Sequence, residues 1–144
     1  QALLEIEKKK PSKIYAVEIS EDFRKDLFSR FKSAKITIIG NDAANLASIV
    51  PDKSIDKAIL INVIYFLDPL DTYLEELKRI LKTSGVIIIA GKFGLAQGFD
   101  PKIFKNTDIQ KMMPSLEKHF AVSWTYVDLG DKSSQYHAIT LTKK

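Results

Sequence analysis

The sequence predicts an α/β fold, a mostly parallel sheet carrying helices and closed by an antiparallel hairpin, and three features predict it. Four short apolar runs, Ile14 to Val17, Ile36 to Ile39, Ala58 to Ile61 and Val86 to Ala90, show little alternation of apolar and polar residues. Such runs mark strands buried on both faces, usually in parallel sheets. The segments between several of these runs carry apolar residues at helical spacing, which gives the strand–helix–strand rhythm of βαβ units. Two further runs at the end of the chain, Val122 to Leu129 and Gln135 to Thr142, are joined through Gly130-Asp131-Lys132-Ser133-Ser134 and read as a hairpin.

Taken in order, residues 1–10 read as the last turns of a helix, with Glu early, Lys late and Pro11 as a stop. Ile14 to Val17 runs into Glu18, and Ser20 then offers an N-cap with Glu21 and Asp22 in the first helical turn. That helix is expected to present Phe23, Leu27, Phe28 and Phe31 on one face. The second strand closes in Gly40-Asn41-Asp42, Ala43 to Ile49 is a loop or short helix, and Pro51 to Ser54 is turn-like. After the third strand, Asp68 is expected to cap a helix with Pro69 in its first position. Leu70, Tyr73, Leu74, Leu77, Ile80 and Leu81 then keep an unbroken i, i+3, i+4, i+7 spacing, and Thr83-Ser84-Gly85 is expected to end that helix.

Beyond the fourth strand, Gly91, Gly94 and Gly98 do not match a dinucleotide or phosphate-loop fingerprint, so residues 91–101 read as a flexible loop over a site. Thr107-Asp108-Ile109-Gln110 has the form of a capping box. Ile109, Met112, Met113, Leu116 and Phe120 follow as a helical face that Pro114 should kink or split. The Met pair reads as core.

Composition narrows the function classes. The chain of 144 residues is one domain's worth, read here as a single domain over residues 1–144, with 45% hydrophobic residues as in ordinary globular proteins. No apolar run approaches the roughly 20 residues of a membrane span, and no signal peptide or repeat stands out. Cysteine is absent, which excludes disulfides, thiolate catalysis and Cys-ligated zinc and suits the cytoplasm. With only His119 and His137, a metal site is not expected. The net charge of +4 comes from lysines spread along the chain, without the basic stripe and interleaved aromatics of a nucleic-acid surface. His119 is expected to be solvated at a helix end, and His137, on the side of Ile139 and Leu141, to be a structural histidine.

In open α/β sheets ligands bind in the crevice beyond the carboxyl ends of the strands. Three polar points fall there: Glu18, the Asn41-Asp42 pair, and Asn62 with the segment Val63 to Leu67. Each also has a plain reading, as a surface acid, turn chemistry and a packing aromatic at Tyr65.

This ordered set resembles the class I S-adenosylmethionine-dependent methyltransferases, and among them the small-molecule enzymes called the methyltransferase 11 type. The resemblance rests on the strand ending in Glu18, the strand with Gly40-Asn41-Asp42-Ala43, the strand running into Asn62-Val63-Ile64-Tyr65-Phe66, and the helix into Lys82-Thr83-Ser84-Gly85-Val86. It covers roughly Ile14 to Lys143 and implies a Rossmann-like fold with helices on both faces of the sheet. It also implies S-adenosylmethionine as cofactor, with Glu18 and Ile19 at the ribose and Asn41, Asp42 and Ala43 at the adenine. Asn62 would lie near the sulfonium and amino-acid end, and Tyr65 near the methyl group. A small-molecule methyl acceptor is implied, with no nucleic-acid or membrane partner. No catalytic base can be named.

One departure stands out. The family's acidic-x-Gly-x-Gly-x-Gly loop, between its first strand and first helix, is not in the sequence, and the strand before it, central in the family's order, is expected to be missing. The chain is therefore expected to be N-terminally incomplete and to bind cofactor poorly unless extended upstream. Two other classes remain open: a non-catalytic or decayed module on the same fold, and a nicotinamide-dependent oxidoreductase. The closing hairpin argues against the second.

Overall fold

A computed structural model describes residues 11–130 and 135–144. The helix expected over residues 1–10 and positions 131–134 of the hairpin turn lie outside the described residues. The chain divides into two compact units, Gln1–Leu46 and Ala47–Lys144.

In the first unit, β1 (Ile14–Val17) and β2 (Ile36–Ile39) pair in parallel, Ile14 opposite Ile36 and Val17 opposite Ile39. Between them runs α1 (Glu21–Arg30). Its N-cap is Ser20, whose hydroxyl accepts from the Phe23 amide at 3.4 Å, with Glu21 and Asp22 placed where the helix dipole favours acids. The expected apolar face is not a buried one. Phe23 and Phe28 stay 66% and 58% exposed, and no residue of α1 is buried. Arg24, Leu27 and Phe31, at i, i+3 and i+7, are the partly buried positions. At 100° per residue that inward line leaves Phe23 and Phe28 on its flanks.

The second unit is built on a four-stranded sheet of order β3-β4-β6-β5, with β3 (Ile55–Ile61), β4 (Leu81–Gly91), β5 (Phe120–Val127) and β6 (Tyr136–Lys143). β3 and β4 are parallel, while β6 runs antiparallel to both β4 and β5, so the closing hairpin is present. One face carries Ile87, Ile89, Ile139 and Leu141, all completely buried. The opposite face carries Ile59, Ile61 and Ile88, which remain 44%, 48% and 37% exposed. The expectation that these strands are buried on both faces is therefore corrected. Successive side chains of a strand point to opposite faces, and burial of each depends on what is packed there.

Two helices complete the buried side. α2 (Leu70–Ile80) buries Leu70, Leu74, Leu77 and Ile80, the stripe its spacing predicts. It starts one residue later than expected. Pro69, after a cis Asp68–Pro69 bond, is extended with ψ 133° and occupies the N-cap position itself. The helix also ends earlier, because Leu81 is already extended and opens β4. Gly85 is thus no helix cap. It is a glycine for want of room, since an added Cβ would lie 2.9 Å from the Ile55 carbonyl oxygen and 2.7 Å from Leu81 Cγ.

The second of these helices, α4 (Ile109–His119), follows a one-turn α3 (Phe93–Ala96) that occupies part of the stretch expected to be a loop. Its cap is Asp108, which accepts from the Gln110 amide at 3.0 Å, rather than Thr107. The helix continues through Pro114 without splitting. Of the Met pair read as core, Met112 is buried and Met113 half-buried.

Two polar clusters tie this unit together. Arg79, at the end of α2, bonds Glu76 at 2.7 and 2.8 Å, the Val50 carbonyl at 3.0 Å, and Asp52. Its pKa is raised, first by the Glu76 carboxylate. His119 is buried, not solvated, with Nε2 2.9 Å from Asp71 Oδ1. A buried imidazole needs a polar partner, and the first turn of α2 supplies one.

Candidate functional site

The first unit places Glu18, Ile19, Asn41, Asp42 and Ala43 at the same end of two parallel strands. Glu18 directly follows β1, and its amide donates to the Ile39 carbonyl at 2.9 Å, which extends the ladder by one residue. Its Oε1 accepts from the Ser20 amide at 2.8 Å. The other carboxylate oxygen has no protein partner among the described residues. A half-buried carboxylate with one oxygen committed and one open is held in place yet can still accept from a ligand. Ile19 beside it is largely exposed.

Arg24 shapes this end of the strands and was not among the sequence candidates. Its Nη1 donates to the Glu18 carbonyl at 3.0 Å and the Ile19 carbonyl at 2.6 Å. The guanidinium also lies against Gly40, where an added Cβ would come within 3.0 Å of Arg24 Cζ. One side chain thus reaches the exits of both β1 and β2. A signal was present: Arg24 stands in the first turn of a helix, where the dipole disfavours a cation.

Asp42 folds back on its own turn, with Oδ1 accepting from the Ala44 amide at 2.9 Å and its carbonyl accepting from the Asn45 amide at 2.9 Å. Asn41 is exposed and Ala43 half-buried.

The second unit brings together Asn62 and Tyr65. Asn62 directly follows β3 with φ 56°, in the left-handed region, while its amide still donates to the Ala90 carbonyl at 2.8 Å. Asn tolerates this conformation better than most residues, and it turns the chain sharply out of the sheet. A single 3₁₀ turn, Ile64–Phe66, follows. Tyr65 is 4% exposed, its ring 5.3 Å from that of Phe93 and 6.2 Å from that of Phe104. Its hydroxyl is shielded and makes no hydrogen bond of good geometry. Burial raises the phenol pKa, opposed in part by the nearby Lys92 backbone. Gly91 leaves the space for that hydroxyl, since a Cβ there would lie 2.6 Å from it and 2.9 Å from the Phe93 ring.

Asn62, Tyr65 and Phe66 form one side of a cleft of about 230 Å³ whose remaining lining is Lys92, Leu95, Phe99 and Phe104. The segment opposite holds the 3₁₀ turn in place. The backbone amide of Lys105 donates to the Tyr65 carbonyl at 2.8 Å, and Asn106 Nδ2 donates to the Ile64 and Leu67 carbonyls at 2.9 and 2.7 Å. Sequence reasoning missed Asn106, which no local pattern marks. A larger depression of about 430 Å³ lies between the start of α2 and α4, lined by Asp68, Asp71, Lys105, Asp108 and Lys111 among others. Asn62 and Tyr65 do not line it, and no group of three His, Asp or Glu side chains among the described residues could hold a metal ion. Within each unit the candidate residues stand at strand ends, where chain reversals and polar groups fit ligand binding in α/β sheets.

Strand ends of this kind, on parallel pairs with an antiparallel closing hairpin, define the class I methyltransferase fold. The sequence matches the methyltransferase 11 family, described as a methyltransferase domain, over residues 1–89, and the chain belongs to that family. It is a methyltransferase. Solved structures agree in fold. A SAM-dependent methyltransferase from Archaeoglobus fulgidus superposes with a TM-score of 0.75 at 19% identity, covering 99% of this chain and 80% of that one. A protein from Pyrococcus horikoshii OT3 gives 0.71 at 18% identity, covering 99% and 76%. The [4+2]-cyclase SpnF gives 0.75 at 17% identity, covering 99% and 70%. No curated protein matches the sequence.

Proposed function

We propose that this methyltransferase uses S-adenosylmethionine and passes the methyl group to a small molecule. Bound there, the cofactor supplies a methyl carbon already activated by a positively charged sulfur. The observation that carries the reading is Glu18, an acid at a strand end with one oxygen fixed by Ser20 and the other without a partner among the described residues. An acceptor-only group so held fits ribose hydroxyls, which are donors. Asn41, Asp42 and Ala43 take the adenine in this reading. The Asp42 carboxylate serves its own turn, so the exposed backbone and the Ala43 side chain are the better part of that contact. Ile19 offers an apolar flank.

Asn62 and Tyr65 belong to the methyl-donor end. Displacement at an activated methyl asks the protein mainly to align the acceptor and exclude water. It needs no Ser-His-Asp set, and the buried aromatic wall around Tyr65 suits a dry reaction. The absence of cysteine suits a cytoplasmic setting, and no helix among the described residues is long and apolar enough to cross a membrane.

Glu18→Gln tests the reading by calorimetry with S-adenosylmethionine. A charged hydrogen bond is worth about 1.5–3 kcal/mol, so affinity should fall about 10- to 100-fold. Unchanged affinity would remove Glu18 from the cofactor site. Transfer of radiolabelled methyl from the cofactor to the small-molecule fraction of a cell extract, rather than to its protein or nucleic acid, tests the acceptor class.

A further inference from the structure

We infer that the methyl acceptor is a planar, mostly apolar ring compound that stacks in the cleft beside Asn62, an inference that rests on the proposed methyl-transfer function and narrows its substrate. The cleft walls are aromatic. Phe66 and Phe104 have ring centroids 5.0 Å apart, Phe99 and Phe104 4.8 Å, each pair tilted by 50°. Tyr65 lies 6.2 Å from Phe104, behind the cluster. These are separations at which aromatic rings attract one another, and the tilts leave ring surface open to a further flat molecule.

The exposure of these residues is the second observation. Phe66, Leu95 and Phe99 are about half exposed, at 50%, 54% and 49%, although Phe93 and Ala96 on the same short helix segment are buried. Apolar surface left to water at the end of a strand, beside a left-handed asparagine, is surface a ligand can cover.

Volume and polarity decide what kind of ligand. About 230 Å³ is too small for a helix or a peptide strand and matches a compound of one or two fused rings. The Tyr65 hydroxyl is turned against Gly91 and shielded, so it offers the cleft no hydrogen bond. Asn62 and Lys92 are the polar side chains of the lining. A sugar or an amino acid would leave most of its polar groups unmatched on these walls, which opposes its binding. A flat ring bearing one nucleophilic oxygen or nitrogen does not. In the transfer that heteroatom bonds to the methyl carbon, the sulfur keeps the electron pair of the broken C–S bond, and the proton of the acceptor leaves to solvent.

Naphthol and its fully saturated counterpart decahydronaphthol are the probes, read by saturation-transfer NMR titration of the whole protein. Naphthol should bind about fivefold more tightly, since stacking adds to a burial the two share. Phe99→Ala and Phe66→Ala should each weaken it about fivefold to tenfold, with circular dichroism unchanged because both side chains are half exposed. Leu129→Ala, at the exposed far end of the hairpin, should leave it unaltered. Equal binding of the two probes, or naphthol binding indifferent to both phenylalanine variants, overturns the inference. Calorimetry with S-adenosylmethionine on the same protein separates the two proposals. Cofactor binding without naphthol binding rejects the aromatic acceptor alone, whereas Phe99-dependent naphthol binding without cofactor binding rejects the cofactor assignment and, with it, the role of the bound ring as methyl acceptor.

Discussion

Helices α1 and α2 both come after a strand that is directly followed by a polar residue, and both carry apolar residues at helical spacing, yet they are held in opposite ways. α2 buries Leu70, Leu74, Leu77 and Ile80 and is locked at its end by Arg79. α1 buries nothing and relies on local devices: the Ser20 cap, Glu21 and Asp22 in its first turn, and ion pairs such as Arg30 to Asp26 at 2.8 Å. The difference teaches that periodicity predicts a helix but not its burial. In α2 four apolar positions share one face, whereas in α1 the line turned inward holds only Leu27 and Phe31, with a cation between them and the N-terminus.

The largest test of that contrast is truncation. Leu74→Ala, at a completely buried position, should cost about 2–5 kcal/mol in urea unfolding. Phe28→Ala should change stability by less than about 0.5 kcal/mol. Comparable losses would mean that α1 has a packed face after all. Next is Arg79→Met, which keeps the stem and removes the bonds to Glu76 and Val50. A loss of about 1–2 kcal/mol is expected, discounted because Asp52, its third partner, is mostly exposed. Ser20→Ala should cost about 0.5–1 kcal/mol, toward the low end because the capping bond is long, and helical circular dichroism would register it.

The smallest effect is confined to acid. The His119 hydrogen bond holds the Asp71 carboxyl below its ordinary pKa, with Lys118 adding to the same direction. A depressed carboxylate contributes stability that is fully present above its unfolded pKa and is lost as pH falls through the folded value. Stability of the protein should therefore drop below about pH 4, and Asp71→Asn should flatten that limb of the profile. An unchanged slope in the variant would show that the pair carries no linkage.

What could be read in the sequence follows the same division. The strand ends at Glu18 and Asn62, the α2 stripe and the closing hairpin are legible because each is a pattern local in the chain. One-sided burial of β3 and β4 was not. Continuous runs such as Val86 to Ala90 look the same whether one face or two are covered, and only the packing partner decides. The choice of Asp108 over Thr107 as cap depended on a backbone angle that both residues can adopt. The aromatic cleft was invisible for a third reason: Phe66, Phe99 and Phe104 belong to separate segments, and chain spacing carries no sign that they converge. Within residues 91–101, Lys92, Leu95 and Phe99 line the cleft, and a helical turn, Phe93–Ala96, occupies part of the stretch.

Gly91 has a consequence for how this sequence can change. Its missing side chain is the space filled by the Tyr65 hydroxyl and the edge of Phe93, so a Cβ there meets an oxygen at 2.6 Å and a ring carbon at 2.9 Å. A side chain at position 91 requires both rings to shift or shrink. Shrinking either ring opens a hole in the wall. The three positions are therefore coupled, and what position 91 can hold is set by the rings at 65 and 93.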